Sequence, residues 1–371
     1  MMASFPEIDD FEKVFVNELP LIDLRAPIEY SQGSFPNATN LPILLNDERE
    51  AVGICYKNKG QTAAIELGKQ LVGGEVKEHR INQWLDFAKI HPAGVLFCFR
   101  GGLRSEIAQQ WLADTGLFYP RIRGGYKAMR QWLARRLESL CANSHFLVLS
   151  GKTGSAKTRL IEEGLKTGSI PFSVDLEGLA NHRGSAFGTR IAHQPTQSNF
   201  ETNIATSLLK LQAFNFKSIL IEDEGRFIGR CVLPSELHIS KSRADWVWLE
   251  ANLEDRVDHS YENYILSNFR ELATHFNDED LAFERFSEGL FLAGEKIQKR
   301  LGGLRHRALT KTMKAAMKSH EAGKPAHHKD WITLLLTEYY DPMYEHQIGL
   351  RENPPIFKGN YSEIRSFLLE Y

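Results

Sequence analysis

Apolar residues follow two rhythms along the chain. Continuous runs at 21–24, 95–99, 146–150, 218–222 and 246–250 have the length of strands buried on both faces. Between and after them, residues 62–72, 81–90, 105–114, 127–143 and 203–214 carry apolar positions at helical spacing. The alternation predicts an α/β protein with parallel sheets and right-handed crossovers. Past residue 253 the pattern is helical almost to the end, over 255–267, 278–298 and 330–339. In the helix after Arg104, Ser105 can cap, Ile107, Trp111 and Leu112 share a face, and Gly116 suits the left-handed residue after the last turn. Residues 127–143 combine an apolar side (Met129, Trp132, Leu133, Leu137) with a basic one.

The chain has 371 residues, more than one core usually serves, so at least two domains are expected. We divide it into residues 10–138, closing near Gly124-Gly125-Tyr126, residues 139–255, and a helical extension, 256–371. No apolar run approaches the roughly 20 residues of a membrane span, and the first residues lack an apolar leader core, so a cytoplasmic protein with no membrane contact is expected. Cys55, Cys98, Cys141 and Cys231 are too scattered for a zinc site or a disulfide framework. Net charge is only −2, yet residues 296–329 hold ten lysines and arginines against the single acid Glu321. With Arg130, Arg135 and Arg136 they form a candidate surface for nucleic-acid phosphates, beside which Tyr339, Tyr340 and Tyr344 are candidate stacking residues.

Candidate chemistry starts at Cys98-Phe99-Arg100-Gly101-Gly102-Leu103-Arg104-Ser105, between a strand and a helix. The C-terminal edge of an open parallel sheet is where such folds bind ligands. Backbone N–H groups of a glycine-rich turn, a helix N-terminus, Arg100 and Arg104 favour a thiolate, and the same groups can hold an oxyanion beside it. Cys98 is therefore the candidate nucleophile, and Arg100, Gly101, Gly102, Arg104 and Ser105 the candidate anion site.

A second loop, Gly151-Lys152-Thr153-Gly154-Ser155-Ala156-Lys157-Thr158, follows the apolar strand at 146–150 and opens a helix, the context a phosphate-binding P-loop requires. Its N–H groups would wrap a diphosphate, Lys157 would add a charge and Thr158 could hold Mg²⁺. Ala156 stands where the pattern has glycine. Glu222 and Asp223, at the end of an apolar strand, are candidate Mg²⁺ holders, and Asp175, Arg183 and Ser185 candidate substrate contacts in two polar segments, 175–185 and 194–201. No tightly bound cofactor is implied.

The first third resembles the rhodanese family. Asp23-Leu24-Arg25 looks like its first signature, Gly33-Ser34-Phe35-Pro36 like its second, with Ser34 where histidine is common, and Gly124-Gly125-Tyr126-Lys127-Ala128 like its closing element. Arg104 falls six positions after Cys98, a spacing shared with cysteine phosphatases. Together with the P-loop and the segments Asp175-Leu176-Glu177-Gly178 and Ile221-Glu222-Asp223-Glu224, the chain resembles the bacterial tRNA 2-selenouridine synthase family.

That resemblance implies a rhodanese-like domain, a P-loop NTPase-like parallel-sheet domain and an α-helical C-terminal extension. It further implies a transferase that replaces sulfur by selenium in wobble-position 2-thiouridine of tRNA, through a geranylated thiouridine. Selenophosphate and geranyl diphosphate would be the donors. On this reading Cys98 attacks selenophosphate or accepts selenium as an adduct, Arg100 and Arg104 bind the phosphate, and Asp23 and Arg25 brace the domain. A selenophosphate-supplying enzyme is an expected partner, and a monomer is expected. The alternatives are a cysteine phosphatase or arsenate reductase fused to a P-loop kinase, and a non-catalytic tRNA-binding protein.

Overall fold

A computed structural model describes residues 5–371. The described chain divides into two compact units, one of residues 5–140 and 196–215, the other of residues 141–195 and 216–371.

The first unit is built on five parallel strands, β1 (Glu7–Ile8), β2 (Leu21–Asp23), β3 (Ala38–Asn40), β4 (Val95–Phe97) and β5 (Arg121–Ile122), in the order β1-β5-β4-β2-β3. Every residue of β2 and β4 is buried, which explains why they are apolar except for Asp23, whose charge is paired with Arg25. Trp84, Ile22, Leu24, Leu96, Ala108 and Leu112 form a core on the sheet. The helix Leu103–Ala113 starts two residues before Ser105, so Ser105 is not its cap: its hydroxyl turns back to the Gly102 carbonyl at 2.8 Å. Gly116 does take a left-handed conformation, φ +90°.

The apolar pattern suggests a helix only over 62–72, but the structure has one continuous run, Asn46–Leu71, broken in direction at Gly60, φ +82°. The helix Gln197–Ala213 also belongs to the first unit, although in sequence it lies inside the second α/β segment. Its polar N-terminal turn is used for this packing: Asn199 Oδ1 accepts from the Ser34 N–H at 2.8 Å, and Arg130 Nε donates to Ser198 Oγ at 2.9 Å. The unusual polarity of 194–201 is thus taken up by packing: Thr196 caps the helix and, in the second unit, Gln194 Nε2 donates to the Ala180 and Ile228 carbonyls.

The second unit carries the parallel strands β6 (Phe146–Ser150), β7 (Ser173–Val174), β8 (Ile219–Glu222), β11 (Asp245–Leu249) and β12 (Phe357–Gly359), in the order β12-β11-β6-β8-β7. A small antiparallel pair, β9 (Phe227–Ile228) and β10 (Cys231–Val232), follows β8. The C-terminal region is therefore not purely helical. The helical stretch ends at Gly349, Pro354 and Pro355 lie in the non-helical segment that follows, and the chain returns as an edge strand beside β11 before the last helix, Tyr361–Glu370. The remaining helices pack on a core of their own, with Trp331, Ile332, Phe286, Leu290 and Met313. No helix among the described residues is long and apolar enough to cross a membrane.

Candidate functional site

Cys98 follows the last residue of β4 and is held there by its own backbone. Its carbonyl accepts the Tyr126 N–H at 2.9 Å, and the Phe99 carbonyl the Lys127 N–H at 3.0 Å, so the 124–128 turn clamps the loop. Glycine is obligatory at two points. Gly101 has φ +65° and a Cβ there would lie 2.5 Å from the Gly124 nitrogen, while a Cβ on Gly125, φ +59°, would lie 2.2 Å from the Cys98 carbonyl oxygen. Among the described residues, the backbone N–H groups of 100–104 donate to no carbonyl and to no side chain, and so remain available to an anion.

The Cys98 side chain is 3% exposed and lies on the wall of a cavity, 3.3 Å from Ser105 Oγ. Arg100 is exposed, lines the same cavity, and has no hydrogen bond or ion pair among the described residues. Arg104 differs from the sequence expectation of a second free clamp: both its terminal nitrogens donate to Glu29, at 2.7 and 3.2 Å. Glu29, from the helix Pro27–Ser31, has no signal in the sequence because it lies 75 positions away.

Asp23 and Arg25 form a buried ion pair at 2.6 Å. Arg25 donates to the Gly33 carbonyl at 2.7 Å and stacks 3.8 Å from the Tyr126 ring centroid. Ser34 donates to Asp23 at 3.1 Å. These groups tie β2 to the turns around the cysteine loop.

In the second unit β6 delivers the loop 151–158. Gly154, φ +83°, brings the backbone against Arg256, whose carbonyl oxygen would be 2.6 Å from an added Cβ. Ala156 adopts φ +69°, so the loop keeps a left-handed residue despite the missing glycine. Lys157 Nζ donates to the Gly151 carbonyl at 2.8 Å, inside the ring of the loop. Burial opposes its charge, but Tyr344 and the acids Glu224, Glu177 and Asp223 outweigh it and hold the ammonium above its ordinary range. Lys152 points elsewhere, to Glu345 at 3.0 Å. Arg256, buried, donates to the Thr153 carbonyl at 2.9 Å and pairs with Asp341 at 2.6 Å, bracing the loop from behind.

The two acids ending β8 part company. Asp223 is engaged by Lys241 at 3.1 Å, Arg351 at 2.6 Å and the Ser150 hydroxyl, and acts on Lys157 through its charge. Glu222 is fully buried; its Oε2 accepts the Glu177 N–H at 3.0 Å, and its Oε1 has no partner among the described residues. Burial, then the charges of Asp175 and Glu224, push its carboxyl up to about 8, relieved in part by the nearby Thr158 hydroxyl. Burial followed by Glu224 and Glu222 likewise raises Glu177 well above the carboxylate range, and Thr158 donates to it at 3.1 Å. Glu224 is raised mainly by burial. Glu177 and Glu222 flank the Thr158 hydroxyl, but among the described residues no three acidic, histidine or cysteine side chains are placed to hold a metal ion together, so the acids do not form a ready Mg²⁺ site.

The loop borders a cleft of about 440 Å³. Arg183 and Ser185 line it, but their strongest bonds go to protein: Arg183 to Asn268, Ser267 and Glu271, and Ser185 Oγ to the Phe187 N–H at 3.1 Å. Arg190, which the sequence did not single out, lines the cleft with its Nε lacking a partner among the described residues. Asp175 caps the helix Leu176–Leu179 instead of facing the cleft. Tyr344 lies over Lys157, its ring centroid 5.8 Å from Nζ, and Tyr340 is buried in the helical core, so neither is placed to stack on an RNA base.

A family model described as the tRNA 2-selenouridine synthase AAA domain matches residues 144–371. Over nearly the whole length the chain is similar to proteins named tRNA 2-selenouridine synthase. It is 47% identical to that of Hahella chejuensis over 362 residues, covering 97% of this chain and 94% of the relative. It is 44% identical to that of Pseudomonas syringae pv. syringae, covering 97% of each, and 41% identical to that of Alcanivorax borkumensis, covering 97% and 98%.

Proposed function

This chain belongs to the tRNA 2-selenouridine synthase family, and from that premise we propose that it forms 2-selenouridine in two chemical steps at two anion loops. Membership makes it a tRNA-modifying transferase and sets aside the phosphatase–kinase and non-catalytic readings.

In the first step the loop 151–158 holds the diphosphate of geranyl diphosphate. The sulfur of wobble 2-thiouridine attacks the terminal carbon; an S–C bond forms, a C–O bond breaks, and diphosphate leaves. Lys157 is positioned to neutralise the departing charge, with Arg190 at the cleft wall. Thr158 and Glu177, which line the cleft, would meet a Mg²⁺ ion carried in by the diphosphate, and that ion would supply further charge neutralisation.

In the second step selenophosphate sits on the free N–H groups of 100–104 with Arg100 against its oxygens, and its selenium meets Cys98 Sγ. At C2 of the nucleoside a C–Se bond forms and the C–S bond breaks. The alkylated sulfur leaves as geranylthiolate, a far better leaving group than sulfide. Water then cleaves the Se–P bond and releases phosphate. Arg104, neutralised by Glu29, shapes the loop and leaves the anion to Arg100.

The tRNA would lie on the basic face of the helix Gly303–Glu321, where Arg307, Lys311, Lys314 and Lys318 are exposed while Leu309, Met313 and Ala316 are buried. A cytoplasmic monomer served by a selenophosphate-producing enzyme completes the reading.

The observation that carries this reading is a buried lysine inside a phosphate loop in one unit and a cysteine inside an unbonded N–H loop in the other. Mass spectrometry of tRNA nucleosides tests it. Cys98→Ala should abolish 2-selenouridine and accumulate geranylated thiouridine, whereas Lys157→Ala should lose geranylation, by about a hundredfold or more. Equal selenation by wild type and Cys98→Ala would overturn it.

A further inference from the structure

A geranyl group on the nucleoside sulfur is apolar and gains by burial while that sulfur is replaced. The cleft at 151–158, assigned above to the diphosphate of the donor, offers the chain itself less: its lining has the rings of Tyr264 and Tyr344 but no valine, leucine, isoleucine, methionine, phenylalanine or tryptophan. The first unit differs. Beside Cys98 lies a cavity of about 1340 Å³, larger than the ~300–1,000 Å³ typical of small-molecule sites and far larger than a tetrahedral anion needs.

The cavity's walls explain its size. In the helical run Asn46–Leu71, the non-helical Gly60 (φ +82°, ψ −178°) turns the chain, and the position of a Gly68 Cβ comes within 3.8 Å of Val52 Cγ2. In an unbroken helix those residues would stand about 24 Å apart. Both arms therefore fold together, and both line the cavity with the cysteine loop.

The cavity lining combines Arg100, the cysteine loop and charged side chains such as Lys57 and Lys69 with the apolar Val52, Ile65, Ile107 and Trp111. Gly53 opens onto unfilled space, since a Cβ there would meet nothing within 4 Å. At the rim Ile54, Tyr56 and Leu103 remain 53%, 58% and 41% exposed. Single exposed apolar residues need no explanation, but three around one cavity beside a reactive sulfur mark a binding surface.

We propose that this cavity is the binding site of the S-prenyl group of the tRNA nucleoside, with the chain against Val52, Ile65 and Trp111 and the alkylated sulfur beside Cys98. The inference rests on the prenylated intermediate of the preceding section and adds the location of its chain. Anion loop and apolar lining then match two of the parts that meet in the second step, selenophosphate and the leaving group, with Cys98 beside the alkylated sulfur.

The test uses full-length protein, selenophosphate and synthetic anticodon stem-loops carrying S-geranyl- or S-methyl-2-thiouridine. Wild type should convert the S-geranyl substrate with a kcat/KM at least about tenfold above that for S-methyl, because the longer chain gains apolar contact. Gly53→Phe, which fills the space, and Ile65→Asn, which makes the wall polar, should each bring that ratio toward one, mainly through KM for the S-geranyl substrate. Using two variants guards against one failing to fold, and comparing two substrates on the same protein separates a local effect from general damage. A ratio near one in wild type, or a wild-type ratio in both folded variants, would show that the cavity is not the prenyl site. Failure of wild type to convert either alkylated substrate, while it still selenates unalkylated 2-thiouridine RNA, would instead remove the prenylated intermediate and this inference with it.

Discussion

The Ser105 hydroxyl lies 3.3 Å from the Cys98 sulfur and at the same time 2.8 Å from the Gly102 carbonyl. It has one proton to give. With a neutral thiol it donates to Gly102 and accepts from sulfur; when the thiol ionises, rotation of the hydroxyl can deliver its proton to sulfur instead. Both groups are buried, so water is a poor substitute. A hydrogen bond to a charged group is worth about 1.5–3 kcal/mol. Ser105→Ala should therefore slow 2-selenouridine formation by about tenfold to a hundredfold and slow iodoacetamide alkylation of Cys98 at neutral pH, with geranylation of tRNA unchanged. Unaltered selenation would mean that this contact serves packing alone.

The acid cluster at the phosphate loop should make stability fall as pH rises from about 5 to about 8. Burial, followed by Asp175 and Glu224, holds Glu222 up to about 8 against an ordinary 4.5. Between those values the folded protein keeps a proton that the unfolded chain releases. The contribution is thus complete below 4.5 and is lost as pH rises through 8. In metal-free buffer the melting temperature should carry a downward component from about pH 5 to about pH 8. Glu222→Gln should flatten it. Scanning fluorimetry across that range would expose the error if wild type and Glu222→Gln had equal slopes.

Ala156 holds a left-handed conformation, φ 69° and ψ 28°, that costs an L-residue roughly 1–2 kcal/mol. Part of that cost is offset because alanine loses less backbone freedom on folding than glycine. Ala156→Gly should accordingly leave diphosphate binding intact and raise stability by about 1 kcal/mol or less. Ala156→Val should destabilise by about 2 kcal/mol, since β-branching adds to the clash. Chemical denaturation gives both values, and an unperturbed valine variant would mean that the loop escapes to another conformation.

Sequence alone determined the local chemistry. Cys98 with its glycines, and Lys157 with its loop, are legible because each loop is one contiguous segment between a strand and a helix, and the strands that carry them are continuous apolar runs. Tertiary structure decided everything that depends on residues far apart in sequence. Glu29 takes Arg104 out of the anion site from 75 positions away, Arg256 braces Thr153 from 103 positions away, and Lys241 and Arg351 claim Asp223 while Glu222 turns toward Thr158. The turn at Gly60 makes a cavity out of what reads as an ordinary helix, and β12 joins a sheet whose other strands end at residue 249. Local propensity fixes which segments are helix or strand, whereas partner choice follows from burial and from the need to satisfy every buried charge, and those are properties of the packed chain.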